Sequence, residues 1–257
     1  MSRFTRRTFL AGAAAAGLAA CAGDAKQSQA SSSSAPSDTT AASTTTSAPT
    51  PPGSARFLST GPTGRSQVAL TFHTNGSADL FHQMIDVLSR RQVHVTTFVV
   101  GQWLAANPAL GKVLVDAGHE LENHTFTHPT FLSLPHAQMV DEIDRCRTAI
   151  TQTAGSGGRV FRPSGTDDGL TSPSAAVLDL AGSEGYGTVL GFDVDPQDFN
   201  DPGADAVAQR TIAGLHDGAV VSLHFGHAGT VEAMPRILDA VAAKGLTPVT
   251  VSTLLGL

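Results

Sequence analysis

Gln67-Val68-Ala69-Leu70-Thr71-Phe72 is a short apolar run, and behind it Leu80, Phe81, Met84, Val87 and Leu88 recur at helical spacing. That is a strand followed by a helix, and the unit repeats along the chain. Residues 94–100 are β-branched and read as a buried strand, ahead of a helix over 108–117 that stops at Gly118. Residues 119–123 are strand-like, 135–153 form a longer helix and 159–161 a strand; 172–180 are helical, 187–192 extended, 204–215 helical and 219–223 extended. A helix over 231–243 and an extended stretch over 248–251 close the series. Such alternation predicts parallel strands with helices outside, as an open doubly wound sheet or a closed barrel. No glycine-rich phosphate loop follows the first strand, which disfavours a nucleotide fold.

The first residues are not part of this pattern. Thr5-Arg6-Arg7-Thr8-Phe9-Leu10 is a twin-arginine pattern running into the small-residue apolar stretch 11–20, the mark of a bacterial export signal. The stretch is too short and alanine-rich to span a bilayer, which takes roughly 20 strongly apolar residues. Leu18-Ala19-Ala20-Cys21 resembles the lipoprotein box, so residues 1–21 are expected to be a signal and a lipidated Cys21 to tether the chain to the extracytoplasmic face of a membrane. Residues 22–55 are mostly Ser, Thr, Ala and Pro, a composition that buries too little surface to offset ordering entropy and reads as a disordered linker. As a flexible coil it has a span on the order of 30 Å. Residues 56–257 then make one ordinary domain. Of the two cysteines, Cys146 falls in a helix, so no disulfide is expected within the mature chain. The formal charge of −6 includes Arg3, Arg6 and Arg7, so the mature chain is more acidic still. That excludes nucleic acid as the natural partner, and a monomer is expected.

Residues able to do chemistry collect at the C-terminal ends of the expected strands: His73, His124 and His128, Arg162, the 193–198 stretch with Asp198, and His224. In parallel α/β folds that rim is where sites are built. His124 and His128, four apart on an expected helical turn, project from one face and can share a divalent metal, and imidazole suits Zn²⁺. Two surface histidines near a turn would give the same spacing. His224 ends the buried run 220–223 and is a core residue or a catalytic acid; Asp198 could hold one of its ring nitrogens and leave the other for a leaving group.

Together these residues resemble the NodB-type polysaccharide deacetylases, carbohydrate esterase family 4. Leu70-Thr71-Phe72 is similar to the start of the first motif, His124-Thr125-Phe126-Thr127-His128 to the second, and Phe161-Arg162-Pro163-Ser164-Gly165 to the third. Asp195-Pro196-Gln197-Asp198-Phe199 is similar to the fourth and Leu223-His224 to the fifth. The resemblance covers about residues 66–257. It implies a distorted seven-stranded (β/α) barrel that removes N-acetyl groups from N-acetylglucosamine polymers, peptidoglycan being the nearest, with a divalent metal, most simply Zn²⁺ or else Co²⁺. It also implies that His124 and His128 bind the metal, Arg162 braces the base, Asp198 orients His224, and His224 protonates the leaving amine.

One departure matters. The family's first motif supplies two adjacent aspartates after Thr-Phe, a base and a third metal ligand; here His73-Thr74-Asn75-Gly76 follows Phe72. Threonine is a poor ligand and asparagine no base. His73 is therefore expected to complete a three-histidine metal site, which can generate hydroxide near neutral pH. Asp79, Asp167 and Asp168 are alternative bases, although Asp79 suits a helix N-terminus and Asp167-Asp168-Gly169 a turn. Trp103 and residues 98–100 read as core; His82, His94, His119, His136 and His216 read as surface or satisfied histidines; His227 lies three residues past His224. An active deacetylase, a carbohydrate-binding protein that has lost turnover and a metal-binding envelope lipoprotein are the three readings this leaves.

Overall fold

The structure, a computed structural model, describes residues 53–166 and 168–257. The export signal, Cys21, nearly all of the linker and Asp167 lie outside the described residues. Among the described residues no helix is long and apolar enough to cross a membrane.

The run that opens the domain becomes β2 (Gln67–Thr74), buried at every position after the first. Period-two alternation divides it. Val68, Leu70 and Phe72 pack in one cluster with residues of α1 (Ala78–Arg90) and α7 (Ala228–Ala243), while Ala69 packs in another with Phe98 and Leu190. A strand covered on both faces is what a parallel sheet requires. α1 buries Phe81, Met84, Ile85 and Leu88, and the Ser77 side chain caps its start by accepting from Leu80 N.

Around β2 stand β1 (Arg56–Leu58), β3 (Thr96–Val99), β4 (Glu120–Asn123), β5 (Val160–Phe161), β6 (Thr188–Leu190) and β7 (Val220–His224), in the order β1-β6-β5-β4-β3-β2-β7. All neighbours are parallel. The seven strands curl into a half-barrel with helices, the distorted (β/α) barrel expected from the motifs. β8 (Thr247–Pro248) adds a short pairing to β2. The remaining helices are α2 (Gly101–Ala106), α3 (Pro108–Asp116), α4 (His136–Ala154), α5 (Ala175–Ser183), α6 (Ala204–Gly214) and α8 (Val251–Leu255). Cys146 is free and buried in α4.

Three elements differ from the sequence expectation. β1 has only three residues, too few to show a period, and forms by pairing with β6. α2 occupies the link between β3 and α3. The stretch 248–251 leaves β8 at once for α8, whose Val251 and Leu254 enter the cluster with Ala69 and Phe98. Val251 N donates to Thr96 Oγ1 at 2.8 Å and Ser252 N to Glu120 at 3.2 Å, so α8 covers the N-terminal ends of β3 and β4. Packing outweighs β-branched propensity there.

His119, just before β4, is a satisfied core histidine on one side. Its Nδ1 accepts from Val95 N at 3.2 Å, while Nε2 is buried without a partner. Burial, helped by nearby His94, pulls its pKa down to about 4. A folded value below the unfolded 6.5 contributes stability that is complete above pH 6.5 and is lost as pH falls toward 4, about 3 kcal/mol in all. Urea unfolding at stepped pH should show that loss. His119→Asn, whose Oδ1 can take the place of Nδ1, should flatten it; an unchanged slope would exclude His119 as its source.

Candidate active site

The C-terminal ends of the strands carry the site. Register alone puts His73 beside His224, as Cα partners of β2 and β7, and places Asn123 of β4 opposite Phe161 of β5. Gly76 and Gly226 bring the following loops into contact. Gly76 has φ of +90° and a Cβ there would lie 2.4 Å from Gly226 Cα, so only glycine lets the two loops meet.

His124 and His128 follow β4, but in a loop and not on the helical turn anticipated for them; Thr125 and His128 have φ of +67° and +61°. Buried acceptors hold this backbone. Glu142 of α4 accepts from Phe126 N, Thr127 N and Thr127 Oγ1 at 2.8, 2.7 and 2.6 Å, and Asn123 Oδ1 accepts from Thr125 N at 2.9 Å. Asn123 Nδ2 in turn donates to Ile143 O and Tyr186 Oη. None of these supports carries a motif signal, because a carboxylate on a helix face looks like any solvated charge until the loop folds onto it.

Arg162 is 1% exposed and lies at the centre. Its Nε donates to Leu190 O at 3.0 Å, Nη2 to Gly191 O at 2.9 Å, and Nη1 to Thr71 Oγ1 at 2.9 Å and His73 Nε2 at 3.2 Å. The guanidinium stacks 3.8 Å over the Phe98 ring. Burial lowers its pKa to about 9, which leaves it a cation near neutral pH. His73 Nδ1 meets His224 Nε2 at 2.9 Å, and His224 Nδ1 meets Asp198 Oδ1 at 2.8 Å. Asp198 Oδ2 also accepts from His224 N at 2.8 Å and Thr230 Oγ1 at 2.7 Å. Asp198 and His224 are in contact, and Arg162 reaches His73, where no carboxylate stands for it to brace. Thr230 and Thr71 were not anticipated.

His73, His124, His128, Arg162 and His224 line a cavity of about 490 Å³ together with Asp195 and Phe199. Burial raises the Asp195 pKa above the ordinary carboxylate value. The Phe199 ring, half exposed, stands 5.7 Å from His224. Asp168 faces elsewhere, accepting from Leu170 N and Thr171 N in a tight turn, and Asp79 stays in the first turn of α1, so neither reaches the cavity. His227 pairs with Asp201 at 2.7 Å and His216 with Asp193 at 2.6 Å.

The polysaccharide deacetylase family model matches residues 60–186. A chitooligosaccharide deacetylase of Bradyrhizobium is 31% identical over 169 residues, which are 64% of this chain and 73% of that protein. The chain belongs to the polysaccharide deacetylase family. Two solved structures place it within the family's range. A family 4 carbohydrate esterase from Streptomyces lividans, in complex with acetate, is 34% identical with a TM-score of 0.64, over 72% of this chain and 92% of that one. A Bacillus anthracis protein, BA3943, described as a CE4 family pseudoenzyme, is 25% identical with a TM-score of 0.71, over 78% and 69%. A mutant of that protein is described as having restored enzymatic activity. The chain spans about half the length of several curated relatives it matches.

As a metal centre of this family, the three-histidine set does not fit. Imidazole binds a metal along a lone pair in the ring plane, at about 2.0–2.1 Å for zinc. The His73 and His124 rings stack 4.0 Å apart and 18° from parallel, so their lone pairs cannot meet at one ion, and both His73 nitrogens are already engaged. The expectation that His73 completes the ligand set is corrected on these grounds. Among the described residues no group of three or more His, Cys, Asp or Glu is arranged to hold an ion. What remains is a pair. His124 Nδ1 contacts Arg162 O at 2.8 Å, its Nε2 is buried without a partner, and the His128 ring lies 5.0 Å away. Burial holds the pKa of His73, His124 and His128 below the ordinary imidazole value, which favours the neutral rings. Two histidines fall short of the three protein ligands of a catalytic zinc site.

Proposed function

We propose that this protein is an exported, lipid-anchored hydrolase that removes acetyl groups from N-acetylated polysaccharide of the cell envelope, with peptidoglycan the nearest candidate polymer. The observation that carries the reading is the Asp198–His224 couple, 2.8 Å apart, in which His224 lines an open cavity and Asp198 is buried. A buried carboxylate that fixes one ring nitrogen of a histidine lining a cavity suits proton transfer at a scissile bond. A site serving only to bind sugar has no need of that couple. Arg162, by holding β6 to β2, keeps the His73 and His224 side of the cavity in register.

A second reading, a glycan-binding protein that has lost turnover, is favoured by one observation: the first-motif position carries a histidine with no free nitrogen. Acetate release from N-acetylglucosamine oligomers by the purified chain separates the two, measured metal-free and with Zn²⁺ or Co²⁺ because the histidines do not converge on an ion. Release lost in His224→Ala supports the hydrolase. Oligomer binding without release under every condition transfers the assignment to the second reading.

A further inference from the structure

Beside the cavity that holds the histidines lies a second one, of about 390 Å³. Its walls come from β1, from the segment after β4, from the ends of β5 and β6 and from the loop after β5, and Phe57, Leu132, Pro163, Pro173, Leu190 and Phe192 make them largely apolar. The two cavities are contiguous, since Thr130, Arg162, Pro163, Gly165, Thr166 and Phe192 line both. His73 and His224 line only the first. The loop wall is seated closely: Phe192 N donates to Gly169 O at 3.1 Å, and a Cβ on Gly169 would lie 2.3 Å from Phe192 O.

The polar groups of the second cavity are mostly committed to the protein itself. Ser133 Oγ donates to Thr130 O at 2.7 Å, Thr171 Oγ1 to Asp168 Oδ2 at 3.0 Å and Ser172 Oγ to Pro173 O at 3.1 Å. Asp168 Oδ1 accepts from Leu170 N and Thr171 N, and Arg162 directs its three nitrogens to Leu190 O, Gly191 O, Thr71 and His73. A sugar ring carries hydroxyls that need free partners once they leave water, and these walls offer few. A hydrocarbon chain asks for none and gains by leaving water.

We propose that the second cavity binds the acyl chain of an N-acylated sugar, so that the protein takes acyl groups longer than acetyl. The inference rests on the hydrolase reading for the orientation of the substrate. In an amide the acyl chain and the nitrogen lie on opposite sides of the carbonyl carbon. With the nitrogen toward His224, which lines the first cavity alone, the chain points to the wall shared by Pro163 and Phe192 and continues into the second cavity. An acetyl group ends before that wall. A hexanoyl chain adds four methylenes for Phe57, Leu132 and Leu190 to cover.

Titration calorimetry on the full chain compares N-hexanoylglucosamine with N-acetylglucosamine. A methylene moved from water to an apolar wall contributes about three- to fourfold in affinity and ordering the chain takes part of that back, so the hexanoyl sugar should bind at least about tenfold tighter. Leu132, 44% exposed, stands at the lip of the cavity, and Leu132→Asp should bring that ratio below about threefold by setting a charge where the chain enters. Leu170→Asp, at an exposed position outside the lining, should leave the ratio in place. Equal affinities for the two sugars in the unmodified chain overturn the proposal without any variant. So does a preference that survives Leu132→Asp, or one lost equally in Leu170→Asp, which would put the chain on the outer surface. Release of hexanoate and of acetate is followed in parallel, metal-free and with Zn²⁺ or Co²⁺. The expected binding pattern with neither acid released sinks the hydrolase reading and leaves the acyl pocket standing.

Discussion

Replacing Asp198 by asparagine is expected to lower acetate release by about 10²- to 10⁴-fold, the range over which a positioned proton-transfer group contributes. Asp198 is 1% exposed and opens a short 3₁₀ turn whose flanking residues, Gln197 and Asp201, have left-handed backbone, so the turn offers it little freedom. Its two oxygens accept from His224 Nδ1, His224 N and Thr230 Oγ1. An asparagine has one oxygen for these three donors, and its amide N–H groups face one of them. The His224 ring must then turn or lose the acceptor that fixes its Nδ1, and either change costs its orientation at the cavity. The measurement is kcat/KM on N-acetylglucosamine oligomers, beside a thermal melt. A variant that folds and retains its rate would remove His224 and Asp198 from the chemistry.

The second large effect concerns stability. Arg162→Met should destabilise the domain by about 3 kcal/mol or more, because each buried acceptor left without a donor costs about 1–3 kcal/mol. Leu190 O and Gly191 O lose the Arg162 donor, Thr71 Oγ1 keeps only its bond to Val221 O, and His73 Nε2 loses its donor. The guanidinium reaches from the end of β5 to β6 on one side and β2 on the other, so its loss loosens three strands at the edge that carries the site. Part of the cost is returned by no longer burying a charge. Arg162→Lys should fare little better, since one ammonium cannot reproduce a planar fork aimed at four acceptors. Urea unfolding reads the effect as a drop in midpoint at constant slope. A loss below about 1 kcal/mol would mean the carbonyls find other donors.

Much of the fold was legible because its signals are local. The apolar run of β2 and the helical recurrence from Phe81 to Leu88 are properties of consecutive residues, and so is the β-branched run that becomes β3. The short elements were not legible for the same reason. β1 and α8 exist because β6 and the cluster around Phe98 are there to receive them. Within the site, residues at strand ends could be listed in advance, since the C-terminal rim of a parallel sheet follows from the alternation alone. The supports of the 124–128 loop could not: Glu142 and Asn123 act through contacts across the chain that leave no spacing to read.

By itself the sequence determined the parallel α/β architecture, the edge on which the chemistry collects, the family motifs, and the exchange of an aspartate pair for His73-Thr74. Tertiary structure alone decided what His73 does. Spacing allowed it to join His124 and His128 around an ion, but ring orientation depends on how β2 lies against its neighbours and on where Arg162 reaches. With the His73 ring stacked 18° from that of His124 and both its nitrogens engaged by Arg162 and His224, it is not placed to share an ion with them. A lone pair has a direction that no one-dimensional pattern records, and it is set only when the strands are placed side by side.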